Sequence, residues 1–396
     1  MSEPLALHGG RPVRPAILPY GRQALDEDDV QAVLAVLRSD WLTTGPRVEA
    51  FERALAETVG AAHAVAVSSG TAALHAAMFA AGIGPGDEVI VPALTFAASA
   101  NAVLYQAGTP VFADVRADTL NVDPGDVSAK LTPQTRAVMA VDFAGQPADL
   151  DEIGTVTRDR GLHLIEDAAH ALGAEYRGRR VGALADLTTF SFHPVKQITT
   201  GEGGLVATGR AELAARLRRF RNHGLETEFG ERHARGDVYS PMVDLGYNYR
   251  LTDLGCALGL SQLARLEQFL KRRGEIAQRY RAELQSQPGL TLPAVLPHVR
   301  HAWHIFPVLL EPERLTADRR TIVAALRAEN VGATVHYVPV YWHPYYQARG
   351  YRRGLCPQAE WVFERVLSLP LFPAMTEPDV DDVLTALRKV LAHYLR

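Results

Sequence analysis

The chain has 396 residues, 47% hydrophobic and 22% charged, with 41 basic against 45 acidic side chains and a formal net charge of −4. That length exceeds one compact core and calls for two or three domains, and the missing basic surplus argues against a nucleic-acid partner. Two distant cysteines, Cys256 and Cys356, lack zinc-site spacing and fit a reducing cytoplasm, while neither a signal-peptide core nor an apolar run of the ~18 residues that span a membrane is present.

After an N-terminal arm, "LDEDDVQAVLAVLRS" opens on acids and carries apolar residues at helical spacing; "PRVEAFERALAETVG" repeats the pattern and stops on glycine, so two helices come first. Short β-rich runs then alternate with helical ones: "AHAVAVSS", "TAALHAAMFAAG", "DEVIVPA", "TFAASANAVLYQAG", "PVFADV", "AVMAVDFAG", "HLIEDAA" and "LTTFSF". This alternation predicts an α/β fold with a mostly parallel sheet covered by helices. Such sheets bind ligands at the carboxyl ends of their strands. A Pro- and Gly-marked stretch, "SQPGLTLPAVLP", follows a long helical segment, and "HIFPVLL", a helix near 317–329 and the β-rich "GATVHYVPV" then restart the pattern. A boundary is expected near residue 290, dividing a large domain, 1–290, from a smaller one, 291–396.

Lysine is scarce: Lys130, Lys196, Lys271 and Lys389 are the only four among the 41 basic residues. Three of them read as solvated positions. Lys196, in "SFHPVKQITTGEGG", lies between an apolar run and a cluster of glycines and threonines, and an amine there offers Schiff-base chemistry that a guanidinium does not. Two further strand ends fit that chemistry. "AVAVSSGTAALHAAM" runs a strand through Ser68, Ser69, Gly70 and Thr71 into a helix, a phosphate cradle or an ordinary N-cap. "LHLIEDAAH" ends a strand on Glu166 and Asp167, with His170 three residues on; the carboxylate at that end either holds a proton on a pyridine nitrogen or caps a helix. Cradle, acid and lysine together are the fixtures of a pyridoxal phosphate site.

In these motifs, and in "LTTGPRVEAFE", "VPALTFAASANAV", "FADVRADTLNVD", "GYNYRLTDLGCALGLSQL", "HYVPVY" and "LSLPLFPAMT", the chain resembles the DegT-type family of nucleotide-sugar aminotransferases over almost its full length. The resemblance implies a fold-type-I pyridoxal-phosphate enzyme with a mostly parallel seven-stranded sheet in the large domain and a smaller α+β C-terminal domain. By the same resemblance Lys196 binds the cofactor and shuttles protons, and Asp167 pairs with the pyridine nitrogen. Relatives with histidine in place of this lysine act as dehydratases, so the lysine favours transamination. Phe96 stacks on the ring, His170 stands beside its phenolic oxygen, and Ser69, Gly70, Thr71 and Ser191 take the phosphate, with Ser69 and Gly70 not separated by the match. Asn248 reaches the phosphate of a neighbouring subunit, which implies a homodimer with shared sites.

Within the family, "DFAGQP", "DTLNVD" and "HPVKQITTGEGG" are most similar to the transaminases that make UDP-4-amino-4,6-dideoxy-N-acetyl-β-L-altrosamine for pseudaminic acid, with L-glutamate as donor. His336, Tyr337, Tyr341 and His343 are the expected sugar contacts, Tyr337 foremost, and Arg250 meets a carboxylate or phosphate, or else sits on a solvated loop. Another UDP- or dTDP-linked keto sugar, or a catalytically silent cofactor-binding relative, stays open. The triple His298, His301 and His304 in "HVRHAWH" lacks a nearby carboxylate or cysteine and is assigned to structure, so no metal is expected.

Overall fold

In the computed structural model, residues 4–227 and 238–396 are described. The N-terminal arm leads into α1 (Glu27–Leu37) and α2 (Pro46–Val59). The first starts on an Asp26–Asp29 capping box, and the second starts on a proline and ends on Gly60 in the left-handed region.

Strands and helices then alternate through β1 (His63–Val67), α3 (Gly70–Ala80), β2 (Glu88–Pro92), α4 (Ala97–Tyr105), β3 (Thr109–Ala113), α5 (Pro124–Ala129), β4 (Thr135–Val141), α6 (Leu150–Arg160) and β5 (His163–Asp167). A short pair, β6 (Glu175–Tyr176) and β7 (Arg179–Arg180), precedes β8 (Leu187–Ser191) and β9 (Gly204–Thr208). The main sheet has seven strands in the order β1-β9-β8-β5-β4-β2-β3. β9 runs antiparallel to both its neighbours and the remaining pairs are parallel. The parallel strands are almost wholly buried because helices cover both faces. β9 was not anticipated: "GLVAT" is a short apolar run directly behind a glycine-rich loop, without an alternation to mark it.

A second sheet joins β10 (Leu290–Thr291), β12 (Phe306–Leu310) and β13 (Val366–Leu369), while β11 (Val299–Arg300) pairs with β6. Its core draws on the helices Leu266–Leu284, Arg319–Ala328 and Glu377–Tyr394, and takes Leu5 and Leu18 from the N-terminal arm. The arm is also held by Glu329, whose buried carboxylate accepts from the amides of Ala6 at 2.8 Å and Val13 at 3.0 Å and pairs with Lys389 at 3.0 Å. Lys389 is therefore not the solvated residue expected, and neither is Lys130, which pairs with Asp126 at 3.0 Å and donates to the Phe112 carbonyl. Only Lys271 of the three is exposed.

The segment "GATVHYVPV" is a correction. It alternates like a strand, yet its residues form a single bridge, Thr334 to Ser368, and are otherwise irregular. Pro339 removes a ladder donor, and the next three residues, Val340–Trp342, turn as a 3₁₀ helix. This irregular stretch carries His336 and Tyr337 toward the end of the main sheet.

Candidate active site

A cavity of about 480 Å³ opens at the carboxyl ends of β1, β5 and β8. Each expected fixture arrives there from its own strand end. The cradle follows β1, where Ser69 caps α3 by accepting from the Ala72 amide at 3.0 Å, leaving Gly70 and Thr71 as the first helical residues, whose amides face the cavity end of the helix. Ser69 is thus the cap and Gly70 the point of close approach. A Cβ on Gly70 would stand 2.8 Å from Cβ of Ser191 and 3.0 Å from its Oγ. The same packing is needed at Gly204 of β9, where a Cβ would lie 2.4 Å from the Ser69 carbonyl oxygen.

Asp167 ends β5 and is buried against the cavity. Its Oδ2 accepts from Ser99 at 2.7 Å, and its Oδ1 accepts from the Ala169 amide at 3.2 Å. Ser99 in turn lies 2.8 Å from the Thr95 hydroxyl, so a chain of hydroxyls from the start of α4 orients the acid. Burial raises the Asp167 carboxyl, while Ser99, Ala169 and the charge of Lys196 pull it back down. Thr95 and Ser99 both line the cavity and were missed at the sequence level, where they read as ordinary helix-start residues.

Lys196 sits in the loop between β8 and β9. Its amide donates to the His193 carbonyl at 2.9 Å, and the loop closes where the amides of Thr200 and Phe192 reach the carbonyls of Phe192 and Gly203. Burial pulls the Lys196 amine down to about 8, Asp167 pushes it up, and the Arg273 guanidinium pulls it down. Near neutral pH this amine exchanges a proton far more readily than a solvated lysine.

Phe96, the N-cap residue of α4, is 61% exposed and lines the cavity, with its ring centre 6.0 Å from that of Tyr337. His170 lies beneath, with Nε2 3.1 Å from the Tyr337 hydroxyl and its ring 4.2 Å from that of His304. Burial holds both imidazoles neutral, well below their ordinary value, and the Nδ1 atom of each has no partner. His304 and His336 line the cavity, and so does Tyr20 from the N-terminal arm. His336 is one of the sugar-facing candidates offered by "HYVPVYWHPYY", whereas neither His304 nor Tyr20 was singled out as a site residue from sequence. His304 belonged to the triple assigned to structure, and its two companions do remain structural: His301 stacks on Trp303 at 3.7 Å, and His298 packs on Tyr176. Among the described residues no cluster could hold a metal ion.

The remaining expected residues do not reach the cavity. Tyr341 is a correction: it is fully buried, donates to Glu360 Oε1 at 2.6 Å and packs on Phe112, because the 3₁₀ turn rotates it into the core. His343, two residues on, also lies off the cavity lining. Asn248 is exposed and bridges to Asn222, whose side chain accepts from Arg250 at 2.7 Å. Both lie close to the cradle, since the Ser68 amide donates to the Tyr249 carbonyl at 2.8 Å, but outside the cavity of this chain.

The residues present fit pyridoxal phosphate. A glycine-lined helix start beside a serine suits a phosphate, a buried carboxylate oriented by a hydroxyl suits a protonated pyridine nitrogen, and a lysine of lowered basicity suits an aldehyde.

Comparison with known proteins agrees. Residues 23–388 match the sequence model of the DegT/DnrJ/EryC1/StrS aminotransferase family. The chain is 44% identical to the spore coat polysaccharide biosynthesis protein SpsC of Bacillus subtilis over 94% of its own length and 97% of that protein's. Among solved structures it is similar to PseC of Helicobacter pylori, an aminotransferase involved in the biosynthesis of pseudoaminic acid, with TM-score 0.89 and 31% identity over 95% of this chain and all of the other. It is also similar to the PLP form of a putative sugar aminotransferase, Spr1654, from Streptococcus pneumoniae, with TM-score 0.89 and 29% identity over 95% of this chain and 99% of that one.

Proposed function

The chain belongs to the DegT/DnrJ/EryC1/StrS aminotransferase family, and from that premise we propose that it moves the amino group of L-glutamate to the C4 ketone of a UDP-linked 4-keto-6-deoxy-N-acetylhexosamine. The product is UDP-4-amino-4,6-dideoxy-N-acetyl-β-L-altrosamine, a precursor of pseudaminic acid. That the protein is a sugar aminotransferase dependent on pyridoxal phosphate follows from the family and its solved members. The observation that carries the reading is the meeting of Lys196 and Asp167 on one cavity between strand ends.

Each residue has a definite task. The cofactor, when bound, supplies an electron sink next to the carbon whose proton moves. Lys196 would hold it and, once released, carry the proton between donor carbon and cofactor carbon. Asp167 would keep a proton on the ring nitrogen, and Ser99 keeps Asp167 pointed there. Gly70, Thr71 and Ser191 would receive the phosphate, while Phe96 would cover one face of the ring and His170, tied to Tyr337, would flank its oxygen. Tyr337 is the sugar contact of choice.

Asn248 and Arg250 lie outside their own cavity and are assigned to the site of a second copy in a homodimer. Exposed apolar side chains beside them, Met242, Leu245 and Tyr247 at 66%, 76% and 39%, support burial against a partner. The reading places the enzyme in the cytoplasm, in keeping with its two free, buried cysteines.

One observation favours a second reading, the same transfer to another UDP- or dTDP-linked keto sugar: the 44% identity to a spore-coat polysaccharide protein exceeds the 31% to PseC. Incubation with glutamate and a panel of keto sugars, with products identified by NMR, decides between them. The chemistry itself is tested by borohydride reduction and peptide mapping, which must label Lys196. Lys196→Ala must fold and show no turnover.

A further inference from the structure

Arg273, in the helix Leu266–Leu284, is 1% exposed, and among the described residues no carboxylate pairs with it. Its partners are carbonyls alone. Nη1 donates to Trp303 at 3.2 Å, His304 at 3.0 Å and Leu371 at 3.0 Å, and Nη2 makes a long contact of 3.5 Å with Val195. Nε has no partner at all. Burying a guanidinium without a counter-ion is expensive, and a leucine or methionine would fill the same space without that cost.

The carbonyls show where the charge is directed. His304 and Val195 both line the cavity, and Val195 directly precedes Lys196. The titratable groups that line the cavity with Lys196 are Asp167 at the end of β5, His170 in the loop after it, His193 and Glu202 on either side of the lysine in its own loop, His304, His336, and the phenols of Tyr20 and Tyr337. Asp167 is the one carboxylate among those that act on the Lys196 amine, and it favours the ammonium form; Arg273 is the opposing charge, and the imidazoles of His170, His304 and His336 are neutral.

We propose that Arg273 is a positioning residue for Lys196: a fixed positive charge behind the lysine loop that ties Val195 to the 303–304 and 371 segments and biases the lysine toward its uncharged, reactive amine. Resting on the assignment of Lys196 as the cofactor lysine, the inference adds a source for its reactivity. Burial is the largest influence lowering the amine, and Arg273 adds to it against the pull of Asp167, so without this charge the ammonium form would gain ground.

The test titrates the lysine directly. Full-length protein freed of cofactor is labelled with trace acetic anhydride from about pH 6 to about pH 11, a range that brackets ordinary and lowered lysines, and the Lys196 peptide is quantified against that of exposed Lys271. The wild-type midpoint should fall near 8. Arg273→Met should raise it measurably, as loss of a like charge does, while burial keeps it below that of Lys271, and Arg273→Lys should keep it low. Arg273→Gln, which retains donors for the carbonyls, replaces the methionine variant where that fails to fold. An unchanged midpoint in a folded neutral variant, or a rise in Arg273→Lys equal to that in Arg273→Met, overturns the proposal. The titration needs no cofactor, so a failure of Lys196 to take up pyridoxal phosphate would defeat the functional reading separately.

Discussion

The Tyr337 hydroxyl stands 3.1 Å from Nε2 of His170, a bond between residues 167 positions apart. It fastens the irregular 332–340 segment to the loop after β5, so the two sides of the cavity meet at one phenol and one imidazole. Burial keeps both uncharged, raising the phenol and lowering the imidazole.

Tyr337→Phe should leave His170 with no partner on either ring nitrogen, since Nδ1 already lacks one. An orphaned buried polar group costs about 1–3 kcal/mol. If the bond is kept in the reacting state, kcat/KM for the sugar should fall roughly 5- to 150-fold. A variant with wild-type kinetics would show that the bond does nothing for the reaction.

Ser99→Ala removes the donor at 2.7 Å from Asp167. That hydrogen bond favours the ionised carboxylate, so its loss should raise the Asp167 carboxyl further and weaken its hold on the ring nitrogen. Cofactor affinity, followed by absorbance, should weaken by about 10-fold or more, the worth of one charge-assisted bond. The melting temperature should also fall by a few degrees, because buried Asp167 Oδ2 and Thr95 each lose a partner.

Gly70→Ala places a methyl 2.8 Å from Cβ of Ser191. The strand ends of β1 and β8 must then separate, and the cradle opens. Pyridoxal phosphate affinity should drop at least about 10-fold, with a stability loss of about 1–3 kcal/mol from overpacking. Equilibrium dialysis and thermal melts measure the two effects separately.

Stability should depend on pH through carboxyls on the opposite face of β5 from Asp167. Glu166 accepts from Thr188 at 2.9 Å and acts on buried Asp142, whose carboxyl its charge raises; burial raises both carboxyls, Glu166 to about 7. The favourable protonated state is fully available below the ordinary glutamate value of 4.5 and is lost as pH rises through about 7. His170 and His304 act in the other direction: their contribution is complete above 6.5 and is lost as pH falls. The melting temperature should therefore peak between these limits and decline by a few degrees toward alkaline pH. Glu166→Gln should flatten the alkaline decline; an equally steep decline in that variant would remove the pair as its cause.

Tyr341→Phe should separate packing from chemistry. The hydroxyl is held by Glu360 at 2.6 Å inside the core, so its loss should cost about 1–3 kcal/mol of stability. The KM for the sugar should stay unchanged. A raised KM would return this residue to the substrate site.

What could be read from the chain follows from locality. The cradle, the acid and the lysine each lie within a few residues of a strand end, where glycines, hydroxyls and a carboxylate interrupt an apolar run. Ser99 and His304 are legible only after the chain has folded. Ser99 reaches Asp167 because β5 and β2 flank β4 in the sheet, which brings the start of α4 alongside. His304 arrives because its amide donates to the Ala144 carbonyl at 2.8 Å and the Ala302 amide to that of Gly145 at 2.9 Å, a docking between distant loops. Tyr341 misled for the opposite reason. It stands four residues beyond Tyr337, near enough in sequence to seem a companion, yet the turn at Val340–Trp342 sends it to the other side of the wall.

Phe96 and Ser99 share the first turn of α4, linked by the Ser99 amide to the Phe96 carbonyl at 3.1 Å. One turn of helix thus sets both the aromatic wall of the cavity and the hydroxyl that steers its acid, at a separation the chain cannot adjust. A residue inserted between them would spoil both at once. Extra length is better tolerated at the far ends of these elements, so diversification for new sugars should accumulate in the loops and spare this turn.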